Sequence, residues 1–206
     1  HFETFQKQLT AKNKTSHFLS ELDIIRTAVL ISNATNLGEY SKALSYQEKI
    51  SALLEDQSEF LSMDIITEYH ANLSLAYMGI GDFKNALIWN NALLNHQNVK
   101  KIRQNKIAAE RMKNICIHYA LENYELVEYL ADSTSRFIKK YELKSAFNTA
   151  FLDFARKALT LEPNNESKSA IRALTMAIET NKLTCHNIRE KALSFHIKNW
   201  LTPLID

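Results

Sequence analysis

The sequence predicts an all-α fold, built as a right-handed α-α superhelix of stacked helical hairpins. Apolar residues recur at spacings of three and four along most of the chain, which is the period of an amphipathic helix. The 206 residues include only three glycines and two prolines, so little material is present for β-hairpin turns or phosphate-binding loops. A short pattern centred on an aromatic residue also recurs at a nearly constant interval.

The clearest helical hairpin is predicted between Tyr69 and Leu94. Each of its two helices has one apolar stripe, which it cannot bury alone. Gly79 and Gly81 lie at the junction, where we expect the left-handed residue that ends the first helix. The stripe residues are Leu73, Ala76, Tyr77 and Ile80 in the first helix and Phe83, Ala86, Leu87 and Leu94 in the second.

The hairpin pattern occurs in three copies. They centre on Tyr40 in LGEYSKAL, Phe83 in IGDFKNAL and Tyr124 in LENYELVE, which are separated by 43 and then 41 residues. A period in the 40s indicates stacked helical hairpins, because each unit buries its apolar stripe against its neighbour. Ala43 and Ala86 follow three positions after the aromatic residue, with Val127 at the third copy, and a small residue there lets the second helix approach the first closely.

One domain spanning residues 1–206 is predicted. Its repeat hairpins are expected at about 17–54, 62–95 and 102–140, followed by C-terminal helices at about 146–161, 167–180 and 184–200. A short amphipathic helix is expected at 1–9. The opening helix of the first hairpin is expected to carry its apolar stripe on Phe18, Leu22, Ile25, Val29 and Leu30. Later core positions are predicted at Ile107, Met112, Ile115, Tyr119, Val127, Leu130, Ala131, Phe137, Phe147, Phe151, Phe154, Ala158 and Leu161.

At these residues the chain resembles the tetratricopeptide repeat family, whose repeats carry an Ala-Tyr-x-x-x-Gly-(Asp/Glu)-(Tyr/Phe)-x-x-Ala-(Leu/Ile) pattern. The first copy has Ala34 at the tyrosine position, and the third has His118 there and Glu122 at the glycine position. Residues 106–159 are also similar to uncharacterised tetratricopeptide-like proteins of Bacteroidetes-type bacteria. The central copy matches the pattern at Leu73, Ser74, Ala76, Tyr77, Gly81, Asp82, Phe83, Ala86 and Leu87.

The resemblance implies a concave groove that binds extended peptides. The Lys and Asn set with which some family members clamp a peptide carboxylate is not reproduced, and Met78 and Met112 suit an apolar peptide or helix better. The alternative is that later helices fill this groove and leave it without a ligand. The groove positions carried over from the family are Ala28, Ser32, Glu68, Ala71, Leu75, Met78, Met112, Cys116 and Tyr119.

The strongest charge feature is the run KKIRQNKIAAERMK from Lys100 to Lys113, with six basic residues and one acid. A phosphate-bearing or acidic partner is one interpretation. We favour the other, in which lysine stems cover apolar surface, because no aromatic residues interleave with the charges for base stacking. Nucleic acid is therefore an unlikely partner. The basic patch defined by this run comprises Lys100, Lys101, Arg103 and Lys106.

Motifs for catalysis are absent from the sequence. There is no GxxxxGK(S/T), GxGxxG or GxSxG pattern, so we predict no enzyme activity, no catalytic residue and no cofactor. The seven histidines do not cluster at ligand spacing, and no metal site is predicted. The nearest combination, which defines a metal-protein alternative, is Cys185 with His186 and His196.

The net charge and the cysteine content bear on the cellular location of the chain. The formal net charge is +2, and the two cysteines, Cys116 and Cys185, form no CxxC pair, which fits a reducing compartment. No stretch approaches the roughly 20 apolar residues that a membrane span needs. We therefore expect a cytoplasmic location without membrane insertion in this segment.

Together these features predict a non-enzymatic scaffold that binds a protein or a peptide, as one part of a larger bacterial regulator. The first alternative is a sensor domain that binds a signalling peptide and changes its superhelical curvature. The second is weak nucleic-acid binding through Lys100 to Lys113.

Overall fold

The computed structural model describes residues 22–51, 62–159, 164–180, 182–185 and 188–204. Every regular element within these ranges is helical, which confirms the all-α prediction. The predicted helix at 1–9 and the residues Phe18, Leu161 and His186 lie outside them. In chain order the helices are α1 (22–36), α2 (Tyr40–Ser45), α3 (47–51), α4 (Met63–Gly79), α5 (Phe83–Leu94), α6 (Gln104–Ala120), α7 (Tyr124–Lys140), α8 (Ala146–Ala158), α9 (Asn165–Glu179) and α10 (Ile188–Leu201). Single 3₁₀ turns lie at Val99–Lys101 and Thr202–Leu204.

The chain divides into two compact units, with the boundary between Ile80 and Gly81. The first unit contains α1 to α4 and the second contains α5 to α10. Among the helices that the structure describes, none has both the length and the hydropathy needed to cross a bilayer.

The three copies of the sequence pattern share one local geometry. Tyr40, Phe83 and Tyr124 are the first residues of α2, α5 and α7. The residue two positions earlier is left-handed each time, at Gly38 (φ 77°), Gly81 (φ 81°) and Glu122 (φ 62°). The residue three positions later is fully buried each time, at Ala43, Ala86 and Val127. The sequence repeat therefore corresponds to a repeated helix start.

In the first unit, α2 and α3 pack against α4. A β-carbon on Gly79 would overlap the ring of Tyr40, so glycine permits the close approach of α2 to the end of α4. The Tyr77 hydroxyl donates to Gln47 Oε1 at 2.7 Å, and Ser51 Oγ lies 2.8 Å from the hydroxyl of Tyr69. Of the two junction glycines, Gly81 is the left-handed residue that we expected there, and Gly79 is the last residue of α4.

The predicted stripe of α1 is wrong where it can be checked. Ile24 and Ile31 are fully buried instead, and Thr27 and Ala34 are buried with them. Ile24, Thr27, Ile31 and Ala34 also follow the spacing of three and four, so the helix has two apolar faces and the structure buries the second. The predicted positions that are exposed are Leu22, Ile25, Val29 and Leu30.

Helix α6 lies at the centre of the second unit and contacts α5, α7 and α10. Because neighbours surround it, it buries residues on all of its faces. The predicted core positions Ile107, Met112, Ile115 and Tyr119 are buried, as we expected. The polar residues Lys106, Glu110, Lys113 and Asn114 are buried as well.

A buried polar cluster ties α5 to α6. Glu110 Oε2 accepts a hydrogen bond from Asn90 Nδ2 at 3.0 Å and forms an ion pair with Lys113 Nζ at 2.7 Å. Asn90 is fully buried, and the Glu110 and Lys113 side chains are 7% and 3% exposed. A charge at this depth is tolerated only when it is paired and hydrogen-bonded, so these side chains depend on one another.

The remaining helices extend the packing. Phe147, Phe151 and Phe154 are buried along α8, as predicted, with successive ring centroids 6.3 and 6.4 Å apart. Asn148 Nδ2 donates to Glu190 Oε1 of α10 at 3.2 Å. Arg156 Nε donates to Asp132 Oδ1 of α7 at 2.8 Å.

Candidate functional site

A cavity of about 500 Å³ opens in the second unit between α5, α6, α7 and the Val99–Lys101 turn. Helix α6 contributes residues one turn apart, which share one face. Helices α5 and α7 contribute their C-terminal halves. The lining residues are Asn91, Leu94, Asn95, Val99, Lys100, Gln104, Ile107, Arg111, Asn114, Leu130, Thr134, Phe137 and Tyr141.

The cavity lining mixes apolar and polar side chains. Leu94, Ile107, Leu130 and Phe137 supply hydrocarbon surface, and four side-chain amides lie among them. Ligand pockets in proteins combine apolar walls with a small number of placed polar groups and measure about 300–1,000 Å³. The volume of the cavity lies within that range, and its lining is more polar than is typical of such pockets.

Arg111 is the charged group in the interior of the cavity. Its guanidinium carbon lies 4.6 Å from the centroid of the Phe137 ring, and its Nη1 donates to Ser133 Oγ at 3.3 Å. The Nε–H is buried and has no hydrogen-bond partner among the described residues. Burial lowers the pKa of the Arg111 guanidinium from its ordinary value, because desolvation disfavours the charged form.

Two aromatic rings lie side by side at this wall, with a cation over each of them. The rings of Phe137 and Tyr141 are 4.7 Å apart between centroids, and the Lys140 ammonium lies 5.2 Å from the centroid of the Tyr141 ring. Phe137 thus contacts both the Arg111 guanidinium and the ring of Tyr141, the residue that follows α7. Such cation–π contacts restrict where each charge can lie.

Asn114 lies one turn beyond Arg111 on the same face of α6. The residue is only 7% exposed, and its carboxamide oxygen has no hydrogen-bond partner among the described residues. Buried amide oxygens are nearly always paired in folded proteins, so an unpaired one at a cavity marks a place where a donor can bind.

None of the groove positions carried over from the tetratricopeptide family lines this cavity. Ala28, Ser32, Glu68 and Leu75 are half-buried. Ala71, Met78, Met112, Cys116 and Tyr119 are buried, with Cys116 fully enclosed.

Helix α10 covers part of the third repeat's predicted groove. It packs against α6, and the ring of Trp200 meets the ring of Tyr119 edge-on with centroids 5.9 Å apart. This agrees with the alternative in which later helices fill the groove at Tyr119. Burial raises the pKa of the Cys116 thiol well above its ordinary value.

The predicted basic patch is divided between two elements. Lys100 and Lys101 are exposed on the 3₁₀ turn, and the exposed Arg103 precedes α6. Lys106 is buried within α6, so these residues do not form one stripe along a helix. Only Lys100 of this patch reaches the cavity.

The metal alternative finds no support among the described residues, where no three metal-ligating side chains come together. Cys185 is a half-buried free thiol, and His196 is buried against α6. Burial and the nearby Lys113 ammonium lower the pKa of His196 to about 4. Neutral His196 therefore belongs to the interior of the second unit.

Sequence reasoning missed Arg111 and Asn114 as site residues. Arg111 counted only as one of six basic residues in the run from Lys100 to Lys113. Its spacing of three from Asn114 places both on one helix face, which is a signal in the sequence. The spacing does not reveal that α5 and α7 pack around that face and complete the cavity.

Comparisons with protein-family models, with curated proteins and with solved structures find no match for this chain. The functional proposal therefore rests on the chain's own residues and their geometry.

Proposed function

We propose that this chain is a tetratricopeptide-like helical-hairpin repeat protein that binds a peptide or protein partner without catalysing a reaction. The cavity between α5 and α7 is its binding site. The repeated helix start supports the architecture, since three copies of one sequence pattern share a left-handed residue, an aromatic first residue and a buried residue three positions later. A right-handed superhelix of such hairpins is the fold that we propose.

Packing within the second unit also favours a repeat architecture. Helix α6 contacts α5 and α7, α8 contacts α7 and α9, and α9 contacts α10. Contacts that run mainly between chain neighbours are typical of solenoid proteins, in which each unit buries its apolar face against the next.

The observation that carries the functional proposal is the cavity itself. Its lining combines the Ile107, Arg111 and Asn114 face of α6 with apolar and polar side chains of α5 and α7. A peptide side chain entering it would lose apolar surface to water while meeting fixed polar groups, which is how helical grooves hold peptides.

Selection from a phage-displayed library of random dodecapeptides tests the proposal. Selected sequences are synthesised, and their dissociation constants are measured by fluorescence anisotropy. Asn95 is an exposed residue on the rim of the cavity, so we expect Asn95→Trp to obstruct the opening and weaken binding about tenfold or more.

Asn165→Trp is the matched control, because Asn165 is also exposed but lies on α9 outside the cavity. It should leave peptide affinity unchanged. If no selected peptide loses affinity in Asn95→Trp relative to Asn165→Trp, the cavity is not a peptide site and the proposal is overturned.

A further inference from the structure

We propose that the cavity binds a carboxylate carried on an apolar body, with Arg111 as its cationic contact and Asn114 as an acceptor for a neighbouring N–H group. The inference rests on the proposed function for the source of this group, which is then a glutamate or aspartate side chain of the bound peptide. A free small carboxylic acid has the same chemistry, and the experiment below separates the two sources.

The charge of the lining is one-sided. Lys100 and Arg111 are its ionisable cations, and no lining residue carries a carboxylate. Lys140 adds a third cation beside the Tyr141 ring. The chain as a whole is close to neutral at +2, so this concentration of positive charge is local. An anion is the complementary ligand.

Arg111 is half-buried, and its Nε–H is enclosed without a hydrogen-bond partner among the described residues. Arg111 forms no ion pair with any described carboxylate. Among the described residues, its one hydrogen bond runs from Nη1 to Ser133 Oγ. Arginine presents a planar fork of donors that matches the two oxygens of a carboxylate. A carboxylate at this fork would supply the missing charge and the missing hydrogen bonds together.

Reaching Nε requires a small movement. The atom is shielded from water, so a carboxylate contacts both Nε and Nη2 only after the guanidinium turns over the Phe137 ring. The ring face, 4.6 Å from the guanidinium carbon, allows such a rotation without loss of the cation–π contact. Binding should therefore change the environment of the Arg111 Nε–H directly.

Asn114 determines which group the ligand can carry next to its carboxylate. Its unpaired carboxamide oxygen lies one helical turn from Arg111 and accepts a donor such as a peptide N–H. Leu94, Ile107 and Leu130 provide the apolar surface for the body of the ligand. The arrangement favours an acidic residue with apolar neighbours over an acid alone.

The test compares acids with matched amides. The probes are 4-phenylbutyrate and 4-phenylbutyramide, and a blocked peptide of leucine, phenylalanine, glutamate, leucine and alanine with its glutamine counterpart. Each is titrated into the ¹⁵N-labelled full chain, and the Arg Nε–H resonances are followed by NMR. In each pair we expect the acid to bind at least about tenfold more tightly than the amide, since a hydrogen bond to a charged group is worth that ratio.

Three variants test which cation is responsible for the preference for the acid over the amide. Arg111→Gln should remove the preference for the acid, whereas Arg136→Gln, which changes an exposed arginine outside the cavity on α7, should keep it. Lys100→Gln should weaken the acid only about two- to threefold, because Lys100 is exposed to solvent. If Arg111→Gln does not fold, the comparison of acid with amide on the wild-type chain still decides the question.

The outcomes separate this inference from the proposed function. Equal affinity for the acid and the amide, or no movement of the Arg111 resonance, overturns the carboxylate site, while peptide binding lost in Asn95→Trp would still support the peptide function. Tighter binding of the glutamate peptide than of phenylbutyrate identifies a peptide source. Equal binding of the two acids identifies a free small acid.

Discussion

The ring of Tyr40 packs against Gly79 so closely that no β-carbon fits between them. The two residues belong to α2 and α4. The hydrogen bonds from Tyr77 to Gln47 and between Ser51 and Tyr69 join α4 to α3. The position of Tyr40 at the start of α2 is therefore defined by the absence of a side chain on the last residue of α4.

Gly79→Ala should lower the free energy of unfolding by about 1–3 kcal/mol, which is typical of overpacking. An alanine in a helix without this neighbour would instead raise stability by up to about 1 kcal/mol, so the sign is diagnostic. Urea unfolding followed by circular dichroism measures the difference. In a Tyr40→Ala background the same substitution should cost little. An equal cost in both backgrounds would show that the ring is not responsible.

Glu122→Gly should raise the free energy of unfolding by about 1 kcal/mol, because glycine adopts the left-handed conformation without steric cost. Glu122 has φ 62° at the third helix start, whereas the first two use glycine. Gly81→Ala tests the reverse change where no heavy atom lies within 4 Å of the added carbon, so only backbone strain acts. We expect opposite shifts in melting temperature from the two substitutions, and shifts of the same sign would contradict the backbone argument.

Stability should fall as pH decreases from about 6.5 to about 4, in part through His196. Its pKa is lowered to about 4 in the folded chain, from 6.5, by burial and by Lys113. The folded state thus favours neutral His196, and the contribution, up to about 3 kcal/mol, is present above pH 6.5 and lost as the pH approaches 4. NMR titration of the His196 ring should give a midpoint near 4, and His196→Gln should have a shallower decline in melting temperature. A midpoint near the ordinary value would refute this.

Lys113→Met should lower the free energy of unfolding by about 3–5 kcal/mol, because it leaves Glu110 charged and buried. The 2.7 Å ion pair and the hydrogen bond from Asn90 are its main compensation. Adding Glu110→Gln removes the uncompensated charge and keeps a hydrogen-bond acceptor for Asn90, so the double variant should be more stable than Lys113→Met. Strictly additive losses in chemical unfolding would argue against coupling.

The two cysteines should react differently with a thiol reagent such as Ellman's reagent. Cys116 is fully buried, and Cys185 is half-buried; burial raises the pKa of both thiols. In the folded chain we expect slow labelling of Cys185 and none of Cys116, and complete labelling of both in urea. Mass spectrometry of the labelled peptides identifies the site. Fast labelling of Cys116 would contradict the packing of α6.

Much of the fold was readable from local sequence. Helix α7 ends at Lys140, which agrees with the predicted end of the third hairpin at about residue 140. Helix α9 begins at Asn165, before the predicted position, since Asn164 and Ser167 form a reciprocal capping box with 2.8 Å hydrogen bonds. Such caps are recognisable in sequence once the helix register is known.

What the sequence left open depends on neighbours. In α1, Ile24 and Ile25 are adjacent, and spacing alone cannot decide which one faces the core. In α6, lysines were expected to keep their charges in water, but helices on several sides bury Lys106 and Lys113. The cavity likewise forms because α5, α6 and α7 meet around Arg111. Periodicity within one helix does not show which other helices pack against it.

Trp200 and Trp89 are the chain's two tryptophans, and the indole of Trp200 lies 5.9 Å from the phenol ring of Tyr119. At that separation, light absorbed by the tyrosine passes efficiently to the indole. Tryptophan fluorescence excited through tyrosine therefore reports whether α10 stays packed against α6. With Trp89 replaced by phenylalanine, partial detachment can be followed without any added dye.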